Sequence, residues 1–451
     1  MQATPEERGQ WSSKLGFVLA AAGSAVGLGN IWKFPSEVAG NGGAVFLLIY
    51  IACCFLIGFP VMVAELAMGR RTNKNPVGAF KALGKGPYWL IGLWGITCGV
   101  FILSFYLVVA GWTLSYVFAE LTKLAALEPA AATLASLAPG WKTAIFTILF
   151  MVATVSIVVG GVSAGIERAT KTLMPMLIGL LFFLIIYVLF KEGSGEGLAE
   201  YLRPELSDVS WEVVLAALGQ AFFSLSLGMG ALITYGSYLD RKENIPEVGA
   251  WVTLSDLGIA FLAGLLIMPT MFVADAAGVA IFNDAGQLVN ETTLVFDVMP
   301  TLFDSMGGWV GPLFGFAFFL LLSMAALTST ISLLEVPVSC LIDELGLRRR
   351  QATIIAGVGI GAVGIVVAMQ QGLIGTFATI FSTVGLPLGG LLICLFLAYV
   401  WKMGPAMEEL ESGFPGVRQS LFGKIWPLFM RFLCPLLIAI VFGSTLYQLL
   451  S

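Results

Sequence analysis

The chain has 451 residues, of which 58% are hydrophobic and 11% charged, and its formal net charge is -5. Soluble domains carry about 25% charged residues, so this composition predicts a polytopic membrane protein. The sequence contains no histidine, which excludes the usual zinc sites, Ser-His-Asp triads and histidine proton relays. All six cysteines fall in apolar stretches and are interpreted as membrane-buried thiols.

Ten charge-free runs are long enough to cross a bilayer, because a spanning helix needs about 17–25 apolar residues. They lie at 15–32, 38–64, 86–119, 143–166, 172–190, 213–239, 257–274, 305–334, 351–401 and 432–451. The run at 351–401 is long enough for two helices with a turn near 370–372. The sequence therefore predicts an all-α membrane protein with eleven spans.

The first run contains the segment 23–30, GSAVGLGN, in which three glycines and the polar Asn30 interrupt an apolar stretch. Glycine costs about 1 kcal/mol per site in a helix interior relative to alanine. Backbone freed from helical hydrogen bonds at membrane depth must be satisfied by protein, water or a ligand. This segment therefore predicts an interrupted helix that binds an ion or a charged solute.

The sixth run contains a second such segment at 224–230, SLSLGMG. Five helices separate the two segments, which is the pattern of a five-plus-five inverted repeat with its site at the repeat interface. The expected organisation is one transporter domain over 1–451, with repeats at about 11–190 and 211–402 and an extra helix at about 425–450. A glycine-lined packing face is the alternative for either segment alone. Two segments at matching positions favour a binding site.

The distribution of Lys and Arg predicts the orientation of the chain. With the N-terminus in the cytoplasm, 18 of the 23 Lys and Arg residues fall on the cytoplasmic side. Cytoplasmic loops carry an excess of these residues, so the N-terminus is expected on the cytoplasmic side of the cell membrane. An odd number of spans then places the C-terminus outside.

At these segments the chain resembles the neurotransmitter:sodium symporter family. The matching stretches are 23–30, 32–35 (WKFP), 41–43 (NGG), 68–70 (MGR), 219–228 (GQAFFSLSLG) and 327–329 (LTS). They extend in the same order and spacing from the first to the eighth span, while the later spans match in hydropathy. With eleven spans, the chain resembles a bacterial branch of the family whose members take up hydrophobic or aromatic amino acids. The resemblance implies a sodium-coupled amino-acid symporter working by alternating access, which is not an enzyme.

The resemblance implies a substrate site built from four spans. Its residues would be Ala25, Leu28, Gly29, Ile102, Tyr106, Phe223, Ser226, Met229 and Leu333. The amides of Leu28 and Gly29, at a half-helix N-terminus, and the Tyr106 hydroxyl would hold the carboxylate. The groups that would accept from the ammonium are the carbonyls of Ala25 and Phe223 and the Ser226 hydroxyl. Ordinary packing, with a backbone carbonyl as hydroxyl partner, is the alternative for Tyr106.

Two sodium ions are implied by the same resemblance. The first would be bound by Ala25, Asn30, Ser224 and a seventh-span residue, which is either Asp256 or, with a one-residue shift, Ser255. An ionised Asp in a membrane span is usually functional, and Asp256 would supply the negative charge that some relatives take from chloride. No chloride requirement is therefore expected.

The second sodium would lie between the first and eighth spans. Its residues would be Gly23, Val26, Ala325, Thr328 and Ser329. Back-bonding to the preceding helical turn is the alternative for the two hydroxyls.

The resemblance also implies gates on both sides of the site. Arg8 and Asp343 would form an inner salt bridge beside Trp11, and Lys33 matches an outer basic gate. No acidic residue lies between 351 and 407, so the tenth span lacks the partner expected for Lys33.

Other mechanisms remain open at this stage. A passive channel or facilitator would also use facing half-helices, although no repeated ring of carbonyls or charges is evident. Proton coupling would use Asp256 as the proton carrier. The expected partners are a small amino acid and the lipid bilayer rather than nucleic acid.

Overall fold

A computed structural model describes residues 9–126, 134, 137–276, 278, 281, 283 and 294–450. Within these residues the chain is helical and has no strand. Nine helices are long and apolar enough to cross a membrane on their own. They are Ala44–Thr72, Trp89–Leu124, Trp141–Val158, Val162–Leu189, Ile245–Ala276, Val310–Leu345, Arg349–Met369, Gly372–Glu411 and Leu421–Leu450. These are the second to fifth and the seventh to eleventh spans.

The first span is broken, as the sequence predicts. Its N-terminal half is Lys14–Ala25 and its C-terminal half is Gly29–Gly40, and the two are bent by 51°. Ser13 begins the first half by accepting a hydrogen bond from the Gly16 amide. The Gly27 amide donates instead to the Asn30 side chain at 3.2 Å. Asn30 therefore satisfies backbone that the break leaves free.

The sixth span is also broken. Trp211–Ser224 and Ala231–Gly236 are separated by an unwound stretch at 225–230. Three residues of the stretch have positive φ: Ser226 at 55°, Gly228 at 81° and Gly230 at 78°. Neither half alone is long enough to cross a membrane. Within the described residues, length and composition give nine single spans and the broken first span, and we assign these two halves together as the sixth of eleven. The division of 351–401 into two spans near residue 370 is confirmed as well.

Glycine is required where the two breaks approach other spans. A Cβ at Gly27 would overlap Ser329 Oγ and lie 2.7 Å from the Tyr106 hydroxyl. A Cβ at Gly228 would overlap the Leu386 carbonyl, and one at Gly389 would overlap the Gly228 carbonyl. The first break therefore touches the third and eighth spans, and the second break packs backbone to backbone against the tenth.

Within the described residues, three shorter α-helices connect the spans. They are Pro76–Leu83, Ser194–Leu202 and Leu294–Ser305. The buried Arg70 links the ends of two spans, because its Nε donates to Glu409 at 2.6 Å. Its guanidinium also donates to the backbone carbonyls of Glu243 and Glu409. Removing both charges from water is unfavourable, and the attraction between them together with these hydrogen bonds offsets that desolvation penalty.

Candidate functional site

A small cavity lies where the breaks of the first and sixth spans meet. It is lined by Ser24, Ala25, Gly27, Gly29, Ile102, Tyr106, Phe223, Ser226, Met229, Ser329 and Leu333. The enclosed space measures about 30 Å³, so an amino acid enters only if lining side chains move apart. One part of the lining is backbone and hydroxyl groups, and the other part is apolar side chains. This division suits a solute with a charged end and an apolar end.

Eight of the nine residues predicted to bind substrate line this cavity. Leu28 does not line it, but its amide donates to the Tyr106 hydroxyl at 2.8 Å. That amide and hydroxyl therefore lie together at the buried N-terminal end of the C-terminal half-helix. Three further lining residues were not predicted for the substrate: Ser24, Gly27 and Ser329. Ser24 and Gly27 belong to the segment GSAVGLGN, and their place in this interrupted stretch is the sequence feature that indicates them as lining residues.

A buried polar cluster around one carboxylate adjoins the first break. Asp256 is fully buried and accepts hydrogen bonds from Asn30 Nδ2 at 2.7 Å and from Ser224 Oγ at 2.9 Å. The Tyr50 hydroxyl donates to its other carboxylate oxygen at 3.2 Å. These contacts join the first, second, sixth and seventh spans around one carboxylate. Two hydroxyl oxygens and the carboxylate converge here, and oxygen atoms are the ligands that a hard cation prefers. Asn30 presents its amide nitrogen to Asp256, while its oxygen accepts from the Gly27 amide.

Ser255, the alternative seventh-span ligand, points away from this carboxylate. The Ser255 hydroxyl donates to the Trp251 carbonyl at 2.8 Å, one turn back in its own helix. Adjacent residues on a helix point about 100° apart, so Asp256 and Ser255 cannot share a face. Tyr50 was missed, because a lone hydroxyl in an apolar span does not indicate which span it faces.

Hydroxyls of the eighth span approach the carbonyls freed by the first break. Thr328 Oγ1 lies 3.2 Å from the Val26 carbonyl and 2.9 Å from the Ala325 carbonyl. Ser329 Oγ lies 3.4 Å from the carbonyls of both Ser24 and Val26. Thr328 thus combines back-bonding with a contact across spans. A Cβ at Gly23 would lie 3.3 Å from Thr328 Cβ, so all five residues predicted for the second ion are neighbours.

A buried glutamate supports the second break. Glu65 Oε1 accepts a hydrogen bond from the Gly228 amide at 2.8 Å, and the residue is fully buried. Gln220, on the sixth span, donates from its Nε2 to the Gly29 carbonyl of the first span at 2.9 Å. Glu65 thus holds unwound backbone and Gln220 holds the first residue of the C-terminal half-helix, and neither contact was predicted. Glu65 directly follows the run 38–64 and Gln220 lies inside the run 213–239, and neither position indicates a partner on another span.

The predicted gate residues are only partly described. Arg8 lies outside the described residues. Trp11 Nε1 donates to the Tyr235 carbonyl at 3.1 Å, and the Trp11 ring meets that of Tyr235 edge-on. The carboxylate of Asp343 accepts from the Asn75 backbone amide at 2.7 Å. Trp11 therefore packs against the C-terminal half of the sixth span.

On the other side of the break, Lys33 pairs with Glu37, which lies one turn further along the same helix. Its Nζ lies 3.6 Å from Glu37 and 5.0 Å from the centre of the Phe223 ring. All three residues line a wide cavity of about 570 Å³. Phe223 also lines the small cavity, so its ring is shared between the two. A cation over an aromatic face is a favourable contact.

Three comparisons with known proteins agree with this geometry. The model of the sodium:neurotransmitter symporter family matches residues 8–134 and 137–451. The sodium-dependent transporter YhdH of Bacillus subtilis (strain 168) is 35% identical over 96% of each chain. A sodium-dependent transporter of Haemophilus influenzae is 32% identical over 99% of this chain and 100% of its own. The solved structure of MhsT in complex with L-phenylalanine matches with a TM-score of 0.83 and 41% identity, covering 97% of this chain and 100% of that one.

Two broken spans that enclose a buried cavity, together with these relatives, define a multi-pass, sodium-dependent membrane transporter rather than an enzyme. The resemblance predicted from the sequence motifs is confirmed. The chain belongs to the sodium:neurotransmitter symporter family.

Proposed function

We propose that the protein is a symporter that uses sodium to import a hydrophobic or aromatic L-amino acid by alternating access. The observation that carries this proposal is the position of the small cavity. Its lining joins the two helix breaks, and Asn30 and Ser224 beside it both donate to the buried Asp256 carboxylate. A zwitterion and a cation would therefore lie next to each other in one enclosed space.

The carboxylate end of the substrate would lie against the start of the half-helix at Gly29. The Leu28 amide and the Tyr106 hydroxyl are 2.8 Å apart there, and a helix N-terminus favours negative charge. The ammonium end would face the carbonyls of Ala25 and Phe223, with Ser226 beside them. These groups accept hydrogen bonds, which is what an ammonium needs.

The first sodium would be bound by the Ala25 carbonyl with Asn30, Ser224 and Asp256, and the substrate carboxylate would complete the shell. Each charge would then help to satisfy the other, which couples the ion to the solute. Because Asp256 brings its own negative charge, transport would not need chloride.

The second sodium would lie between the first and eighth spans. The carbonyls of Gly23, Val26 and Ala325 and the hydroxyls of Thr328 and Ser329 would form an all-oxygen set, which suits a hard cation, and the two hydroxyls lie near the carbonyls of Val26 and Ala325. Its position between two spans would let this ion fix their relative arrangement.

The apolar end of the substrate would face Ile102, Phe223, Met229 and Leu333. Their side chains offer no hydrogen bonds, so a hydrophobic or aromatic group fits them best. Met229 is unbranched and adaptable, which would let the cavity expand from its present small volume. MhsT, whose structure contains L-phenylalanine, is 41% identical to this chain.

The protein would lie in the cell membrane with its N-terminus in the cytoplasm and its C-terminus outside, in accord with the distribution of Lys and Arg. The two repeats at about 11–190 and 211–402 would rock against each other around the site, with the helix at about 425–450 outside the repeat.

Uptake by proteoliposomes tests the proposal. We expect radiolabelled L-phenylalanine or L-leucine to accumulate only under an inward sodium gradient, and equally well with chloride or gluconate outside. Equilibration without accumulation would instead show a passive facilitator. Accumulation driven by a pH gradient without sodium would show proton coupling.

A further inference from the structure

An apolar groove lies on the outer surface of the helix bundle, between the fourth and ninth spans. Its walls include Met151, Val152 and Val155 on one side and Ile354, Val358 and Ala362 on the other, and it encloses about 360 Å³. Val152 is 58% exposed and Val358 is 68% exposed. The groove shares no lining residue with the transport site or with the wide cavity beside Lys33.

Small residues on the ninth span create this groove. At Gly357 the two spans are close, since a Cβ there would lie 2.5 Å from Val155 Cγ2. One turn further on, a Cβ at Gly361 would meet only Met151 Cγ, at 3.6 Å. The spans therefore touch near Gly357 and leave space beyond it. From Ile354 to Ile365 the groove extends about 16 Å, at 1.5 Å per residue.

An arginine lies at one end of the groove. Arg350 precedes Ile354 by four residues and Val358 by eight, so the three side chains share one face of the ninth span. Arg350 is exposed and belongs to no ion pair in the part of the chain that the structure describes. Its neighbour Arg349 is already used, because its Nε donates to the Val158 carbonyl at 3.1 Å and its guanidinium pairs with Glu335.

We propose that this groove is a binding site for an anionic phospholipid, with one acyl chain between the fourth and ninth spans and the phosphate headgroup on Arg350. An apolar slot that opens toward the bilayer suits an acyl chain. The unpaired positive charge at its end complements a phosphate but not an electrically neutral headgroup taken as a whole. Basic residues beside membrane spans bind anionic headgroups through this charge complementarity.

Native mass spectrometry of the full-length protein released from mixed nanodiscs tests the role of the charge. The nanodiscs contain phosphatidylcholine and phosphatidylglycerol in equal amounts. We expect the wild type to retain phosphatidylglycerol preferentially, and Arg350→Gln to lose this preference about fivefold, the effect of one basic residue at an anionic lipid surface. The control is Lys424→Gln, which removes an exposed charge at the start of the eleventh span on the same face of the membrane. Equal retention of the two lipids by the wild type, or an unchanged preference in Arg350→Gln, would overturn the proposal.

A second pair of variants tests the groove itself. Ala362→Leu would fill the slot from an exposed position, and Gly359→Leu is its control because a Cβ there would meet no atom within 4 Å. We expect only Ala362→Leu to release the retained lipid. If wild-type protein leaves the nanodiscs as a lipid-free dimer that Ala362→Leu splits into monomers, the groove binds a second copy of the chain and the proposal is wrong.

Discussion

Asn30 and Asp256 meet across the first and seventh spans, with Asn30 Nδ2 2.7 Å from Asp256 Oδ1. The same Asn30 side chain accepts from the Gly27 amide at 3.2 Å. One amide group therefore connects the break of the first span to the buried carboxylate. A cation bound by Asp256 would therefore act on the backbone of that break through the Asn30 side chain.

The first prediction concerns Asp256. We expect Asp256→Asn to abolish uptake in gluconate buffer, because the variant would lack the negative charge that we propose balances the first sodium. Removing one partner of a buried charge pair typically costs about 3–5 kcal/mol. Chloride should restore part of the uptake, and proteoliposome assays with each anion measure this. Ser255→Ala is the control and should transport normally, since its hydroxyl bonds within its own helix. Normal uptake by Asp256→Asn without chloride would contradict the assignment.

The second prediction concerns the Tyr106 hydroxyl. Tyr106→Phe should raise the KM for the amino acid about 10- to 100-fold, because a hydrogen bond to a charged group is worth about 1.5–3 kcal/mol. The control is Tyr399→Phe, whose hydroxyl donates to the Arg431 carbonyl far from the cavity. Initial rates over a range of substrate concentrations give the KM. An unchanged KM in Tyr106→Phe would mean that the hydroxyl does not touch the carboxylate.

The third prediction concerns the second sodium. Thr328→Val keeps the shape of the side chain but removes the oxygen that lies 3.2 Å from the Val26 carbonyl. We expect the sodium concentration for half-maximal uptake to rise about tenfold, because the proposed site would lose one of its oxygen ligands. Thr97→Val serves as the control, because its exposed hydroxyl only bonds back to Leu93 at 2.8 Å. Equal sodium dependence of the two variants would remove Thr328 from the site.

The fourth prediction concerns the close approach at Gly27. Gly27→Ala should destabilise the protein by about 1–3 kcal/mol, because the added methyl overlaps Ser329 Oγ and crowds the Tyr106 hydroxyl. Transport should be lost together with the drop in the midpoint of thermal unfolding in detergent. At Gly179 an added Cβ meets nothing within 4 Å, so Gly179→Ala should match the wild type in both measurements. A fully active Gly27→Ala would show that the eighth span can move away from the break.

The broken spans could be predicted from the sequence for a clear physical reason. Glycine and polar residues inside an apolar run are unfavourable in a membrane helix unless the backbone is used. The unwound segment at 225–230 and the bend after Ala25 both fall where these residues cluster. The lining of the cavity followed from the same segments together with the family motifs.

Contacts between distant spans could not be predicted in the same way. Hydropathy fixes the length of a span but not its rotation, so Asp256 and Ser255 were equivalent candidates until the faces of the seventh span were known. Tyr50 and Glu65 each lie in apolar sequence, and their partners Asp256 and Gly228 are more than 150 residues away. The family pattern predicts a partner for Lys33 on the tenth span, whereas Lys33 pairs with Glu37 one turn along its own helix.

The contact between Gly228 and Gly389 bears on how this chain tolerates mutation. Gly389 lines neither the transport cavity nor the wide cavity beside Lys33, yet a single methyl group there would strike the carbonyl of the unwound segment. A saturation library scored for amino-acid uptake would therefore reject substitutions at Gly389 as strictly as at Tyr106. Inactive clones in such a library would include substitutions at positions that never contact the solute. The spacing of those positions along the tenth span would show which of its residues pack against the sixth.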